Sequence, residues 1–552
     1  MKKIIICIGA AALLTVACTK KFDALNTNPT AASAANFDPN LLLPSGEYGY
    51  VGATTGYSGP ILFQSMWVQT LASAVFPGYY SNGDKYVQGG SYLSYQASTW
   101  NDAYQAASYL REAQNLTKGN SAYSNLSGIC KILELLNIEA ITDVYGDAPF
   151  SQALQAKSGI SQPVYDKQQD IYNGMLSQLD SVIPTLSTTL ATTGSDAIYG
   201  GDVTKWKKFG YSLMLRMAMR LTKVDAATAQ KYAEKAYTGG VFASNADNAV
   251  IKYDVAHGFG NNNTNAYAVA EDFNEVKWSK QLISYLKSTS DPRLGVIAEV
   301  PKTGAKNATN ESLAGSSLPS IQQGMPNGYD QNGLGTDISK EPNYPGASPA
   351  DPTTNTFDAN GKPTYVDVAN PTGKYSRPTA ALYLGPANTP PPTLILTYAQ
   401  TEYLLAEAAV RGWSVGASAA IHYSNATTAA LLTYATLNAS AGAITSGVAT
   451  AYATANPLDV SSTTNSLVQI NTEYWVYEGT IFDFDEAWSN WRRSGYPVLT
   501  PVNYTGNFTG GTIPRRQSYP TGEASSNPNN YKTAAAAITG GDLYTGRVWW
   551  DK

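Results

Sequence analysis

The residues able to do chemistry are few, and their spacing limits what they could do. Carboxylates are grouped three times: Asp143 with Asp147, Glu402 with Glu407, and Asp483 with Asp485 and Glu486. Hydrolysis of a glycosidic bond needs two carboxyl groups facing each other, about 5–10 Å apart. Glu402 and Glu407 fall in an otherwise apolar segment, and the Asp483 group precedes Trp488 and Arg492-Arg493. Helix capping or pairing with arginine is therefore the expectation for all three groups. Neither His257 nor His422 belongs to a cysteine–carboxylate set with zinc-ligand spacing. There is no Gly-x-Ser-x-Gly elbow and no phosphate-cradling loop. Asp330-Gln331-Asn332-Gly333 matches part of a calcium loop but lacks the remaining ligands and the closing Glu. No catalytic residue, metal or cofactor is assigned, and an enzyme is not expected; a glycoside hydrolase is the catalytic alternative.

The composition fits a surface that meets neutral, hydroxylated ligands, and equally a set of ordinary fillers of long loops. The chain holds 38 tyrosines, and only 14% of its residues are charged. Tyrosine rings can stack on the apolar faces of sugars, while amides and carboxylates bind the hydroxyl rims. Net charge is −5, the opposite of a nucleic-acid footprint. Loops held by a rigid scaffold are the usual place for such sites. The first candidate loop, 77–98, carries Tyr79, Tyr80, Asn82, Asp84 and Tyr86 among glycines, with Trp67 behind it. A second runs from Phe259 through Asn263 to Asn265, with Trp278 beyond it, and a third runs from Asn327 to Asn332 and includes Tyr329.

These loops need positioning elements. The helical period predicts helices over Ile61–Val75, Trp100–Leu116, Ile129–Ile141, Asp170–Ile183 and Val203–Leu221. It predicts further helices over Ala226–Tyr237, Ala266–Leu286, Leu394–Ala409 and Leu467–Trp491. Residues 301–395 hold 14 of the 29 prolines and read as irregular. Strand signals are short, as at Leu382–Leu384.

The amino end reads as a secretion signal: Lys2 and Lys3, an apolar run from Ile4 to Leu14, small residues to Ala17, then Cys18. The run is shorter than the roughly 20 residues a spanning helix needs. Cys18 is the expected lipid-anchored amino terminus after removal of residues 1–17, although Thr15 stands where such signals usually carry Leu. Two acyl chains, unlike one, hold a protein stably on a bilayer. Cleavage would remove Lys2 and Lys3 and leave a net charge of −7. It would also leave Cys130 as the only other cysteine, so no internal disulfide is available. Residues 18–552 are read as one domain.

Several ordered motifs resemble one family. They include Leu25-Asn26-Thr27-Asn28-Pro29, Val144 to Phe150, Trp206 to Arg220, Asp291-Pro292-Arg293-Leu294 and Gly324 to Gly328. Tyr403 to Trp413 follows, then Glu486 to Pro497, Ile513 to Arg516, Tyr519-Pro520 and Val548 to Asp551. Their order is similar to that of the SusD/RagB family, SusD-like branch. The resemblance implies an all-α fold of tetratricopeptide-like helical hairpins with long loops on one side. It further implies an outward-facing outer-membrane lipoprotein, partnered with a TonB-dependent transporter of SusC type, that captures an oligosaccharide or, alternatively, a peptide. The lysines at 20 and 21 differ from the acidic residues that often follow the lipid cysteine in surface-exported relatives. A helical interaction protein without a small ligand is the third reading.

Overall fold

The computed structural model describes residues 37–552 apart from 77, 90–91, 193, 269–274, 302–314, 334, 358–362 and 386–388. Cys18 and the signal lie outside the described residues.

Helices dominate, and most of the long ones come as antiparallel neighbours. α1 is Leu42–Thr54, α2 Tyr79–Lys85, α3 Ser98–Thr117 and α4 Ser124–Tyr145. α5 is Gln168–Val182, α6 Val203–Arg220, α7 Ala226–Gly239, α8 Asn262–Ala268 and α9 Lys280–Ser288. α10 is Tyr398–Val410, α11 Ala419–Leu437, α12 Ser446–Ala455, α13 Thr463–Thr480, α14 Phe484–Ser494 and α15 Pro528–Ala537. The hairpins α3–α4, α6–α7, α10–α11 and α13–α14 form the scaffold, with α1 packed on α3. Local sequence sets their starts. Asp202, Asp225, Ser418, Ser462 and Asp483 each accept a hydrogen bond from a backbone N–H in the first turn of the helix that follows. Gly240 and Gly495 end α7 and α14 in the left-handed conformation.

The structure overturns four of the sequence expectations, two of them by long-range strand pairing. Ile61–Val75 is not one helix: only Gln64–Trp67 is helical, and Leu71–Ala72 is a strand, β1. Ala266–Leu286 is likewise divided, into the end of α8, strand Lys277–Trp278 and α9. The two strands pair with each other, Leu71 with Trp278 and Ala72 with Lys277. Residues 61–63, 66–68 and 71–72 are all buried, so their apolar run marks immersion rather than one helical face. Residues 301–395 are not wholly irregular, because Ser348–Phe357 and Pro363–Asn370 form an antiparallel hairpin. Leu382–Leu384, expected as a strand, begins inside the helical turn Ala380–Tyr383.

Buried charges tie the hairpins together. Arg216 on α6 pairs with Glu139 on α4, and Arg220 pairs with Asp143 on α4 and Glu486 on α14. Arg493 on α14 grips both oxygens of Glu407 on α10, each at 2.7 Å. Burial would raise the Glu407 carboxyl, but Arg493 and Arg411 outweigh it and hold it at about 2. Glu402 instead meets the buried His422 at 2.8 Å. Asp147 accepts from the Gln168 N–H, and Asp483 caps α14. Each carboxylate group singled out in the sequence thus contains structural pairs or caps.

Asp483 behaves oppositely to Glu407. Burial, reinforced by Glu486 and opposed by Arg216, pushes its carboxyl up to about 7. The folded protein therefore binds a proton here that the unfolded chain has released. This contribution is fully present below the unfolded value near 4 and is lost as pH rises through about 7. Urea unfolding at pH 5, 6, 7 and 8 should show Asp483→Asn with a flatter loss of stability across that range than the parent. Identical pH slopes for the two proteins would remove Asp483 as a contributor.

Candidate functional site

All three candidate loops converge on the short helix α2. It begins after Gly78, whose backbone is extended and whose position leaves no room for a side chain: an added Cβ would lie 2.6 Å from the Val75 carbonyl oxygen. Gly83 inside the helix is needed for packing rather than for freedom, because a Cβ there would lie 1.9 Å from the Leu62 carbonyl oxygen. The segment 77–98 is therefore not the open loop expected from its glycines. It contains α2 and a second short helix, Tyr92–Gln96.

At the amino end of α2, Tyr79 is 47% exposed. Its ring lies 6.4 Å from Tyr57 in edge-on geometry and 5.8 Å from Tyr95. Tyr80 points inward, where its hydroxyl donates to the Ala266 carbonyl at 3.4 Å and so joins α2 to α8. The Tyr57 turn is fixed from the same side: the Gly56 N–H donates to Asn263 Oδ1 at 2.8 Å. Nearby on α1, Tyr48 stacks on Phe259 with ring centres 4.4 Å apart, and Phe259 is 42% exposed. The first and second candidate segments thus supply two aromatic clusters, each with one exposed ring, Tyr79 and Phe259, and both anchored on α1 and the turn after it.

At the carboxyl end of α2, Asp84 accepts hydrogen bonds from Asn327 Nδ2 and from the Gly328 N–H at 2.7 Å. It also pairs with buried Lys85, whose ammonium donates to the Ser73 carbonyl at 2.8 Å. Burial pushes the Asp84 carboxyl up and the Lys85 ammonium down, and each opposes the shift in the other. This clasp holds the third candidate loop against α2. Beside it opens a groove of about 510 Å³, lined by Gln69, Gln281, Asn327, Tyr329 and Asn503 among others. That size is within the usual range for a small-ligand site. Asp330 is occupied by hydrogen bonds from the Asn332 N–H, Thr336 and Tyr504. Among the described residues, no group of three or more metal-ligating side chains is gathered.

The structure therefore divides the sequence-expected contacts. Tyr79 and Phe259 are exposed, and Asn82 and Tyr329 are half-buried. Trp67, Tyr80, Asp84, Tyr86, Asn263 and Trp278 are buried, which corrects their placement on a ligand surface. Trp67 packs on Trp488, and the Trp278 indole donates to the Ile297 carbonyl at 2.9 Å. Large apolar area drives these rings into the core once a polar edge, as at Trp278, has a partner. Tyr57, Tyr48, Gln69 and Asn503 were missed. Tyr57 had a readable signal, since Gly56-Tyr57-Ser58-Gly59-Pro60 is turn-forming sequence around an aromatic.

A protein family described as starch-binding and associating with the outer membrane, SusD-like, matches residues 62–520. Solved structures share the fold. A chitin-binding protein is 28% identical, with a TM-score of 0.73 over 93% of this chain and 100% of that one. A "Bacteroidetes AC2a SusD-like" structure is 23% identical, with a TM-score of 0.75 over 94% and 100% of the two chains. A chitin-binding SusD homolog from Flavobacterium johnsoniae is 21% identical, with a TM-score of 0.69 over 93% and 98%. No curated protein sequence matches the chain.

Proposed function

The chain belongs to the SusD-like family, and from that premise we propose that it is a surface lipoprotein that captures an oligosaccharide and passes it to a TonB-dependent transporter of SusC type. The observation that carries the ligand reading is the tyrosine cluster in which exposed Tyr79 at the start of α2 meets half-buried Tyr57 and Tyr95, while the other end of α2 clasps the 327–328 turn that lines the amide-bearing groove. Rings at mixed angles offer several stacking faces to a neutral sugar chain, and tyrosine does so at little rotamer cost. The 28% identical relative is named as chitin-binding, so chito-oligosaccharides lead the ligand panel. Attachment through Cys18 fits a chain in which no described helix is long and apolar enough to cross a membrane. Binding in this reading requires no bond breaking; the arginine and histidine partners of Glu407, Asp143, Glu486 and Glu402 give those carboxylates structural work.

The test is isothermal titration against chito-oligosaccharides, malto-oligosaccharides and short peptides. The double variant Tyr57→Ala/Tyr79→Ala should bind the best ligand about tenfold or more weakly, since two lost ring contacts at about 0.5–1.5 kcal/mol each approach or exceed one decade. Its melting temperature should fall only modestly, because Tyr79 is 47% exposed and Tyr57 is only half-buried. Unchanged affinity in this variant would move the ligand to the Phe259 patch or the Tyr329 groove. Preference for peptides would replace the oligosaccharide reading.

A further inference from the structure

A second large cleft lies away from α2, between the end of α4 and the segment that follows α15. It encloses about 550 Å³ and is lined by Asp147, Arg516, Thr539, Thr545, Arg547, Trp549 and Lys552, among others. Its electrostatics differ from those of the amide groove. Asp551, fully buried, is shared by two guanidinium groups: Arg515 Nε donates to Oδ2 at 2.8 Å and Arg547 Nη1 to Oδ1 at 2.9 Å. One carboxylate cannot neutralise two guanidinium groups, so this triad carries an excess positive charge. Arg516 is balanced by Asp542 and by the Tyr145 carbonyl. Lys552 adds an exposed ammonium, and Lys223, outside the lining, donates to the Lys552 carbonyl at 3.1 Å. Partial burial, then the charges of Arg493, Arg515 and Arg547, push the Lys223 ammonium down despite Asp551.

Against these stand few anions. Asp147 faces the cleft, but burial pushes its carboxyl up and its oxygen already accepts from the Gln168 N–H at 2.8 Å. Of the charged side chains that line the cleft, Arg516, Arg547 and Lys552 outnumber Asp147 and Asp551, and Arg515 and Lys223 stand just behind them against Asp542. A cation-rich cleft with low-dielectric walls concentrates anions, and an incompletely neutralised arginine can donate further N–H groups to an oxyanion. Thr539 and Thr545 line the same cleft and can hydrogen-bond the rest of a hydroxylated molecule.

We propose that this cleft is a second binding site, independent of the tyrosine patch, that takes a small oxyanion through Arg547 and Lys552. The chemistry accommodates the carboxylate of a sugar acid or free phosphate. Both residues are exposed, so their replacement leaves the core intact.

The experiment is isothermal titration of the full chain with glucuronate, inorganic phosphate and neutral N-acetylglucosamine, repeated with Arg547→Gln/Lys552→Gln. At least one oxyanion should bind at low millimolar concentration or tighter. Its affinity should fall about tenfold in the variant and decrease as sodium chloride is raised, with an unchanged melting curve. Binding of glucuronate assigns the site to acidic sugars, and binding of phosphate alone assigns it to the free ion. Failure of both oxyanions to bind would overturn the site. So would equal oxyanion affinity in the variant and the parent.

Discussion

Replacing Arg493 by alanine is expected to cost about 3–5 kcal/mol of stability, because it strands a buried carboxylate. Arg493 closes a four-way junction. From α14 it donates to Glu407 on α10, to Asn471 on α13 at 3.0 Å and to Thr222 after α6 at 3.4 Å. It also donates to Asn490 on its own helix. Without it, Glu407 keeps the Arg411 pair, partly solvated, and a hydrogen bond from the Asn471 amide at 3.2 Å. The carboxylate then loses its strongest counter-charge while its burial is unchanged. Lysine should not restore the parent, since one ammonium cannot reproduce the two parallel N–H donors. The double variant Arg493→Met/Glu407→Met should recover much of the loss, because it removes the stranded charge along with its partner. Denaturant unfolding measures all four proteins. A loss below about 1 kcal/mol for Arg493→Ala would mean that water reaches Glu407 and screens it, by comparison with exposed pairs.

Trp67→Ala should be comparably damaging, at about 3–5 kcal/mol, the range for truncating a buried aromatic. Trp67 is fully buried, with Trp488 at 5.2 Å, Phe63 at 5.9 Å and Tyr544 at 6.5 Å between ring centres. It therefore joins the segment before β1 to α14 and to the carboxyl-terminal segment. Trp488 in turn lies under the Arg492 guanidinium, 3.5 Å from the ring centre. A cycle of Trp67→Ala and Trp488→Ala should show non-additivity of about 0.5–3 kcal/mol, as expected of residues in contact. The contrast with Tyr79 separates the core from the surface around α2. Trp67→Ala should lose stability, whereas Tyr79→Ala should lose affinity with stability retained. If Trp67→Ala melts like the parent and fails only in binding, Trp67 belongs to the ligand surface and its buried placement is wrong.

The long amphipathic helices were legible because their evidence is local. Asp202 and Asp225 caps, Gly240 and Gly495 stops and the 3.6-residue apolar period all act within a few residues of the atoms they order. α3 to α7, together with α10, α13 and α14, accordingly fall close to their expected positions, apart from the break at Phe482. That residue is left-handed, with φ of +67°, between α13 and α14. The family was legible for a related reason, since the order of short motifs along the chain is itself a property of sequence.

Which side chains reach the surface was decided by the tertiary structure. The sequence 61–75 shows the apolar content of a helix, but its strand partner lies at 277–278, about 200 residues away. No window along the chain contains both halves of that pairing. The glycines of 77–98 suggested freedom, yet Gly83 is required by the Leu62 carbonyl, a contact visible only after folding. Tyr79 and Tyr80 are adjacent and identical in chemistry. One turns toward Tyr57 and solvent and the other toward Ala266 and the core, because a helix turns neighbouring side chains about 100° apart. The motif order in the sequence therefore determined the family, while the packing of α2 against α8 and the 327–328 turn determined which of its tyrosines reach the surface.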